Sequence, residues 1–184
     1  MLFERMMRAA RLDSNLYEEV EADLTATSQA ATVVGIVALC GAIGNAVGLA
    51  ADGNVGGAVG VFIGQIIAAF VGWVAWSYIT YWIGTSIFKG VATPGELLRT
   101  VGFAQTPGVL NILAIIPILG GIVAFVAGIW ALIAGIIALR QALDITTGQA
   151  VITAIIGIIP MALLYCLVGA VVGGCAAMTG ALGR

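Results

Sequence analysis

Histidine is absent from the 184 residues, and only 9% of them are charged, seven basic and nine acidic, for a net charge of −2. A soluble domain carries roughly 25% charged residues, so a water-facing coat cannot be drawn from this set. Without histidine, and with Cys40, Cys166 and Cys175 scattered singly through apolar runs, the usual ligand sets of zinc and its relatives are missing. Neither a metal nor a cofactor is expected. No serine-centred nucleophile motif and no phosphate-binding glycine loop is present, so no catalytic residue is assigned and the chain is read as not an enzyme. A basic stripe that would contact phosphates is also lacking, which sets nucleic acid aside. Ionisable groups do not occur deep inside the apolar runs, where a pump or membrane enzyme would keep them.

What the sequence has instead is apolar length. Hydrophobic residues make up 61% of the chain and the mean hydropathy is +1.14. The bilayer must then be the solvent, and the backbone has to satisfy its own hydrogen bonds. Long continuous runs of Ile, Leu, Val, Ala and Gly, without ten-residue alternation, select helices over a closed barrel. The expected fold is all-α: a polytopic membrane bundle of five transmembrane helices at about 30–50, 56–88, 101–119, 121–139 and 150–178. A cytoplasmic segment, 1–29, precedes it. Residues 1–12 place Leu2, Phe3, Met6, Met7 and Ala10 on one face, as an interfacial amphipathic helix would, with Arg8 and Arg11 available to lipid headgroups. A second, acidic helix from Ser14 turns Leu16, Val20 and Leu24 to one side.

The third apolar run is broken by Pro107 and holds Gln105, Asn111 and Pro117, and is read as a kinked crossing in preference to a re-entrant loop. With the N-terminus inside and five crossings, Arg5, Arg8, Arg11, Lys89, Arg99 and Arg140 fall on the cytoplasmic side and Arg184 alone outside. That bias predicts a multi-pass membrane protein with its N-terminus cytoplasmic and its C-terminus outside.

Three groups of residues are candidates for a role. Gly56, Gly60, Gly64 and Gly72 in the second run and Gly169 and Gly173 in the fifth form small-residue stripes that pack helices within the bundle or pair two protomers as a homodimer. Gln65, Gln105, Pro107 and Asn111 hold each other across helices or line a transport path. Lys89, Glu96 and Arg99 in one cytoplasmic connection and Arg140 and Asp144 in the next form an ion-pair latch between loops or a partner-binding site. Thr93, Pro94 and Glu96 give a helix start with a capping box.

The order of features resembles the Yip domain family of Ypt/Rab-interacting membrane proteins, in its prokaryotic branch. An acidic N-terminus precedes five hydrophobic segments; Trp82, Gly84, Phe88 and Gly90 are followed by Glu96, Leu97, Leu98 and Arg99, then by Gly102, Phe103 and Pro107, and Arg140 to Leu143 follow the fourth segment. The Asp-Leu-Tyr-Gly-Pro stretch of eukaryotic members is absent; Asn15, Leu16, Tyr17 and Glu18 stand in its region. The resemblance implies a non-enzymatic role in membrane organisation or trafficking. The expected function is an integral membrane scaffold or accessory subunit, with membrane lipids and another membrane or cytoplasmic protein as partners. The alternative is a small transporter using the broken third run.

Overall fold

The computed structural model describes the backbone at residues 1–53, 55–116 and 119–182, and side chains there except at 48, 49 and 168–182. Helices follow one another in the order α1 (Leu2–Ala10), α2 (Ser14–Ala22), α3 (Ala26–Ala51), α4 (Val55–Phe88), α5 (Pro94–Ala104), a 3-10 helix (Thr106–Ile115), α6 (Leu119–Ala142) and α7 (Thr147–Leu182). Among the described residues four helices, α3, α4, α6 and α7, are long and apolar enough to cross a membrane. The chain is a multi-pass helical membrane protein with four such helices, which corrects the expectation of five.

The span that is lost is 101–119. Its first residues belong to α5, an amphipathic helix of 11 residues that starts at Pro94 with the capping box read from Thr93 and Glu96. Pro107 ends α5 because it has no N–H to donate and its ring crowds the carbonyl of Phe103. The Thr106 hydroxyl donates to that carbonyl at 2.7 Å, so the break leaves no bare acceptor there. A 3-10 helix of 10 residues comes next. Such runs rarely exceed three or four residues, and this one is held by close neighbours. Gly44 on α3 receives it, since a Cβ there would lie 2.5 Å from the Asn111 carbonyl oxygen, and its own Gly108 lets Val37 of α3 come close, a Cβ at Gly108 lying 2.7 Å from Val37.

Direction is set by contacts between helix ends. The Val91 N–H, just beyond α4, donates to the Leu143 carbonyl, just beyond α6, at 3.1 Å. Both helices therefore finish at one end of the bundle, called here the loop end, where α7 also begins. Residues 94–116 run beside α3 in the same sense, Gly102 against Ala30 and Asn111 against Gly44. At 1.5 and 2.0 Å per residue, α5 and the 3-10 helix cover about 36 Å, more than the roughly 30 Å of a bilayer core. The polypeptide thus travels the bundle in two unequal helical pieces.

The two N-terminal helices pack on the bundle. Leu16, Tyr17 and Val20 of α2 are fully buried, whereas Leu24, expected on the same face, is 78% exposed because α2 stops at Ala22. The apolar face of α1 is divided. Met6 and Ala9 are buried, Phe3 and Met7 are exposed, and the Trp130 indole of α6 donates to the Ala10 carbonyl at 2.8 Å. Ion pairs tie α1 to α2 and its flanking turns: Arg5 to Glu19 and Asp23, and Arg8 to Asp13 and Glu19.

A Cβ on Gly102 would meet the Ala30 Cβ at 2.7 Å and its Cα at 3.2 Å, whereas one on Gly60 would meet nothing within 4 Å. Gly102→Ala is expected to destabilise the bundle by about 1–3 kcal/mol through overpacking. Gly60→Ala should leave it unchanged or gain up to about 1 kcal/mol. Thermal unfolding of both variants in one detergent checks the contrast.

Candidate docking face

The loop end carries most of the charges that the sequence singled out, and it orders them differently from an ion-pair latch. Arg99 is 4% exposed and, among the described residues, has no carboxylate partner. Its Nε donates to the carbonyls of Val20 at 3.0 Å and Glu21 at 3.1 Å, and its Nη2 also donates to the Glu21 carbonyl. These are among the final carbonyls of α2, which have no partner within that helix and form the negative end of its dipole. Arg99 therefore caps α2 from α5.

Glu96 closes the capping box of α5, accepting from the Thr93 N–H at 2.7 Å. Lys89 and Asp144 both adopt left-handed backbone angles, φ 58° and 51°, just past the ends of α4 and α6. They terminate helices at the position usually given to glycine. Arg140 donates to the Gln141 side chain at 2.9 Å, and Gln141 donates to Glu18 of α2 at 2.7 Å. Among the described residues no ion pair joins Lys89, Glu96, Arg99, Arg140 and Asp144.

The two connections are nevertheless fastened, by backbone and by packing. Beside the Val91 to Leu143 hydrogen bond, the Leu143 side chain sits on Gly84, where a Cβ would lie 2.5 Å from its Cδ1. A Cβ on Gly90 would lie 2.6 Å from the Leu143 carbonyl oxygen. Leu143 is fully buried. Sequence reasoning did not assign this role to Leu143; glycines at 84 and 90 facing a leucine after the next long helix were its only signal.

Around the fastener lies an acidic patch of Glu18 and Glu21 on α2, Glu96 on α5 and Asp144 in the α6–α7 turn. The Glu21 carboxyl is pushed up to about 7, first by burial and then by the negative charges of Glu96, Asp144 and Glu18, with Arg99 opposing them. Asp13 and Glu19 are held below the usual carboxylate range, chiefly by hydrogen bonds from Arg8.

The polar residues of the apolar segments separate into two places. Asn45 donates to Gln65 at 2.9 Å beside Gly41, and Asn111, whose Oδ1 is buried without a partner among the described residues, approaches the same face of that glycine. Gln105 instead lines a cavity with Trp76 and Tyr165. Gln65 and Asn111 thus meet at Gly41, whereas Gln105 lies apart from them. Of the small-residue stripe, Gly72 receives the Tyr165 hydroxyl, while Gly56, Gly60 and Gly64 face open space. Gly169 and Gly173 lie outside the residues whose packing is described.

The Yip1 domain family model matches residues 15–176. The chain belongs to the Yip1 domain family. No curated protein and no solved structure matches it. In this Yip1 domain the residues that carried the resemblance are its joints. Gly84 and Gly90 seat Leu143, Arg99 caps α2, Gly102 meets Ala30 and Pro107 begins the 3-10 helix.

Because the Glu21 carboxyl is raised by docking, its neutral form favours the docked state. That contribution is complete below the undocked value of about 4.5 and is lost as pH rises through about 7. Amide exchange in α2, corrected for its intrinsic rate, should report weaker protection at about pH 8 than at pH 5. Glu21→Gln should remove the dependence, and Arg99→Met should lower protection at every pH.

Proposed function

We propose that the protein is a non-enzymatic integral membrane scaffold that docks another protein on its loop end, as an accessory subunit or an organiser of membrane traffic. The observation that carries this reading is the joining of α2 to both connections, by Arg99 on one side and Gln141 to Glu18 on the other. Three separate segments thereby present one fixed surface. Its acidic side chains, Glu18, Glu21, Glu96 and Asp144, favour a basic patch on the partner. Lys89 and Arg140 at its margin add register. Transport is the weaker reading, since the polar groups it needs are divided between two sites.

The basic residues support a cytoplasmic loop end, with the Asp52 turn and the C-terminus outside, and the resemblance to prokaryotic family members favours a prokaryotic plasma membrane. On α1, Phe3 and Met7 are exposed, and Arg11, unlike Arg5 and Arg8, has no ion pair among the described residues. This edge suits the headgroup boundary of the bilayer. An impermeant thiol reagent applied to intact cells should label a cysteine placed at Gly53 and spare one at Arg140; the reverse pattern overturns the orientation.

Asp144→Gly removes a charge while supplying the residue that the left-handed angle prefers, so the fold should be kept or slightly stabilised. Gentle purification of the tagged protein from its own membrane should recover a partner at fixed ratio. Binding should fall several-fold with Asp144→Gly combined with Glu18→Gln, and stay unchanged with Ile159→Ala on an exposed face of α7. Equal recovery with all variants sinks the docking face, and recovery of the protein alone sinks the scaffold.

A further inference from the structure

The crevice between α4 and α6 is unexplained by a docking role at the loop end. These two helices do not pack face to face; each leans on α5 and α7. The gap holds a cavity of about 310 Å³ lined by Gly72, Trp73, Trp76, Gln105, Gly135 and Tyr165 among others. This falls at the lower end of the range of small-molecule sites, roughly 300–1,000 Å³. A second cavity of about 290 Å³ shares its Trp76 and Gly135 walls and continues toward Leu139. A third, of about 270 Å³, shares Gly72 and Tyr165 and continues to Gly64. Together they form a furrow along the bundle.

Two features make the furrow more than a packing fault. Gly128 and Gly135 of α6 border it, and a Cβ at either would meet nothing within 4 Å, so this helix wall is smooth without a neighbour to fit. Three polar groups line the furrow unpaired: the Trp76 indole N–H, the Gln105 amide and the Tyr165 hydroxyl have no hydrogen-bond partner among the described residues. Trp76 is fixed in place, its ring edge 3.2 Å from where a Cβ on Gly157 would lie. Trp73 is different, since its N–H is already donated to the Leu98 carbonyl at 3.0 Å.

We infer that the furrow binds one phospholipid of the surrounding bilayer, with an acyl chain along Gly128 and Gly135 and an ester carbonyl accepting hydrogen bonds near Gln105 and Trp76. The lining is apolar apart from these neutral groups. It has no Lys or Arg to hold a phosphate and no carboxylate to hold a cation, so the recognised part is the chain and its ester. Donors left unpaired in a bilayer are costly, and an ester carbonyl supplies the acceptor that the protein does not. The furrow runs along helices whose other faces are in contact with lipid, so the occupant is present at high concentration.

The test uses the full-length protein in liposomes containing a phospholipid with a photoreactive diazirine on one acyl chain. After irradiation, adducts on Ala131, Gly135 and Gln105 should exceed those on the outward residues Ile63 and Ile133 several-fold. Gly135→Phe, which fills open space, should abolish the excess without lowering the melting temperature, and Gln105→Leu should reduce it. Should Gly135→Phe fail to fold, Gly128→Phe makes the same demand from the neighbouring turns. Adducts spread evenly over all outward faces, or an excess that survives both fillings, overturns the inference. Furrow residues cross-linked to a second copy, with no lipid adducts, also overturn it. None of these outcomes bears on partner docking at the loop end.

Discussion

A buried guanidinium held by carbonyl oxygens joins the two halves of this molecule. Arg99 is nearly inaccessible, and its charge is met by the end of α2 in place of a carboxylate. A buried ion without a partner would be strongly destabilising, so α2 must arrive for α5 to be tolerable, and α5 must arrive for the last carbonyls of α2 to be satisfied. Hydrogen bonds to a charged donor contribute more than neutral ones, about 1.5–3 kcal/mol each. The dependence runs further. Fixing α2 places Glu19 and Asp23 where Arg5 and Arg8 can bind them, and so positions α1.

The broken segment 94–116 meets the same demand for satisfied backbone by other means. Pro107 removes one donor, Thr106 covers the carbonyl that it strands, and the 3-10 helix lies in a trough of α3 glycines. A straight apolar helix would cross more simply. The composite instead lets α5 stay amphipathic, with its buried face carrying both Arg99 and Phe103. One short helix thus serves the loop end and the bundle interior at once.

Much of this architecture could be read from residues alone. The four long helices fall within a few residues of the apolar runs, because length and composition decide them. The capping box at Thr93 and Glu96 was legible, because its chemistry is local. The third run was misjudged because hydropathy averages over Pro107 and cannot distinguish a kinked α-helix from α-helix followed by 3-10. The charged residues of the loops were visible as a group, but their partners were not. Arg99 sits three residues from Glu96, yet it bonds to backbone about eighty positions away, and no spacing rule reports a carbonyl as a partner. Lys89 and Asp144 looked like half of a latch, whereas their backbone angles show them ending helices.

Leu143 locks α4 and α6 together at one end only. Beyond that joint α4, a rod of 34 residues about 51 Å long, is braced by α3, through Asn45 to Gln65 among other contacts, while α6 is braced by the 3-10 helix. Each helix is therefore supported from its outer side and not by the other. The crevice between them is closed like the spine of a book at the end that presents the charges and open along the rest of its length.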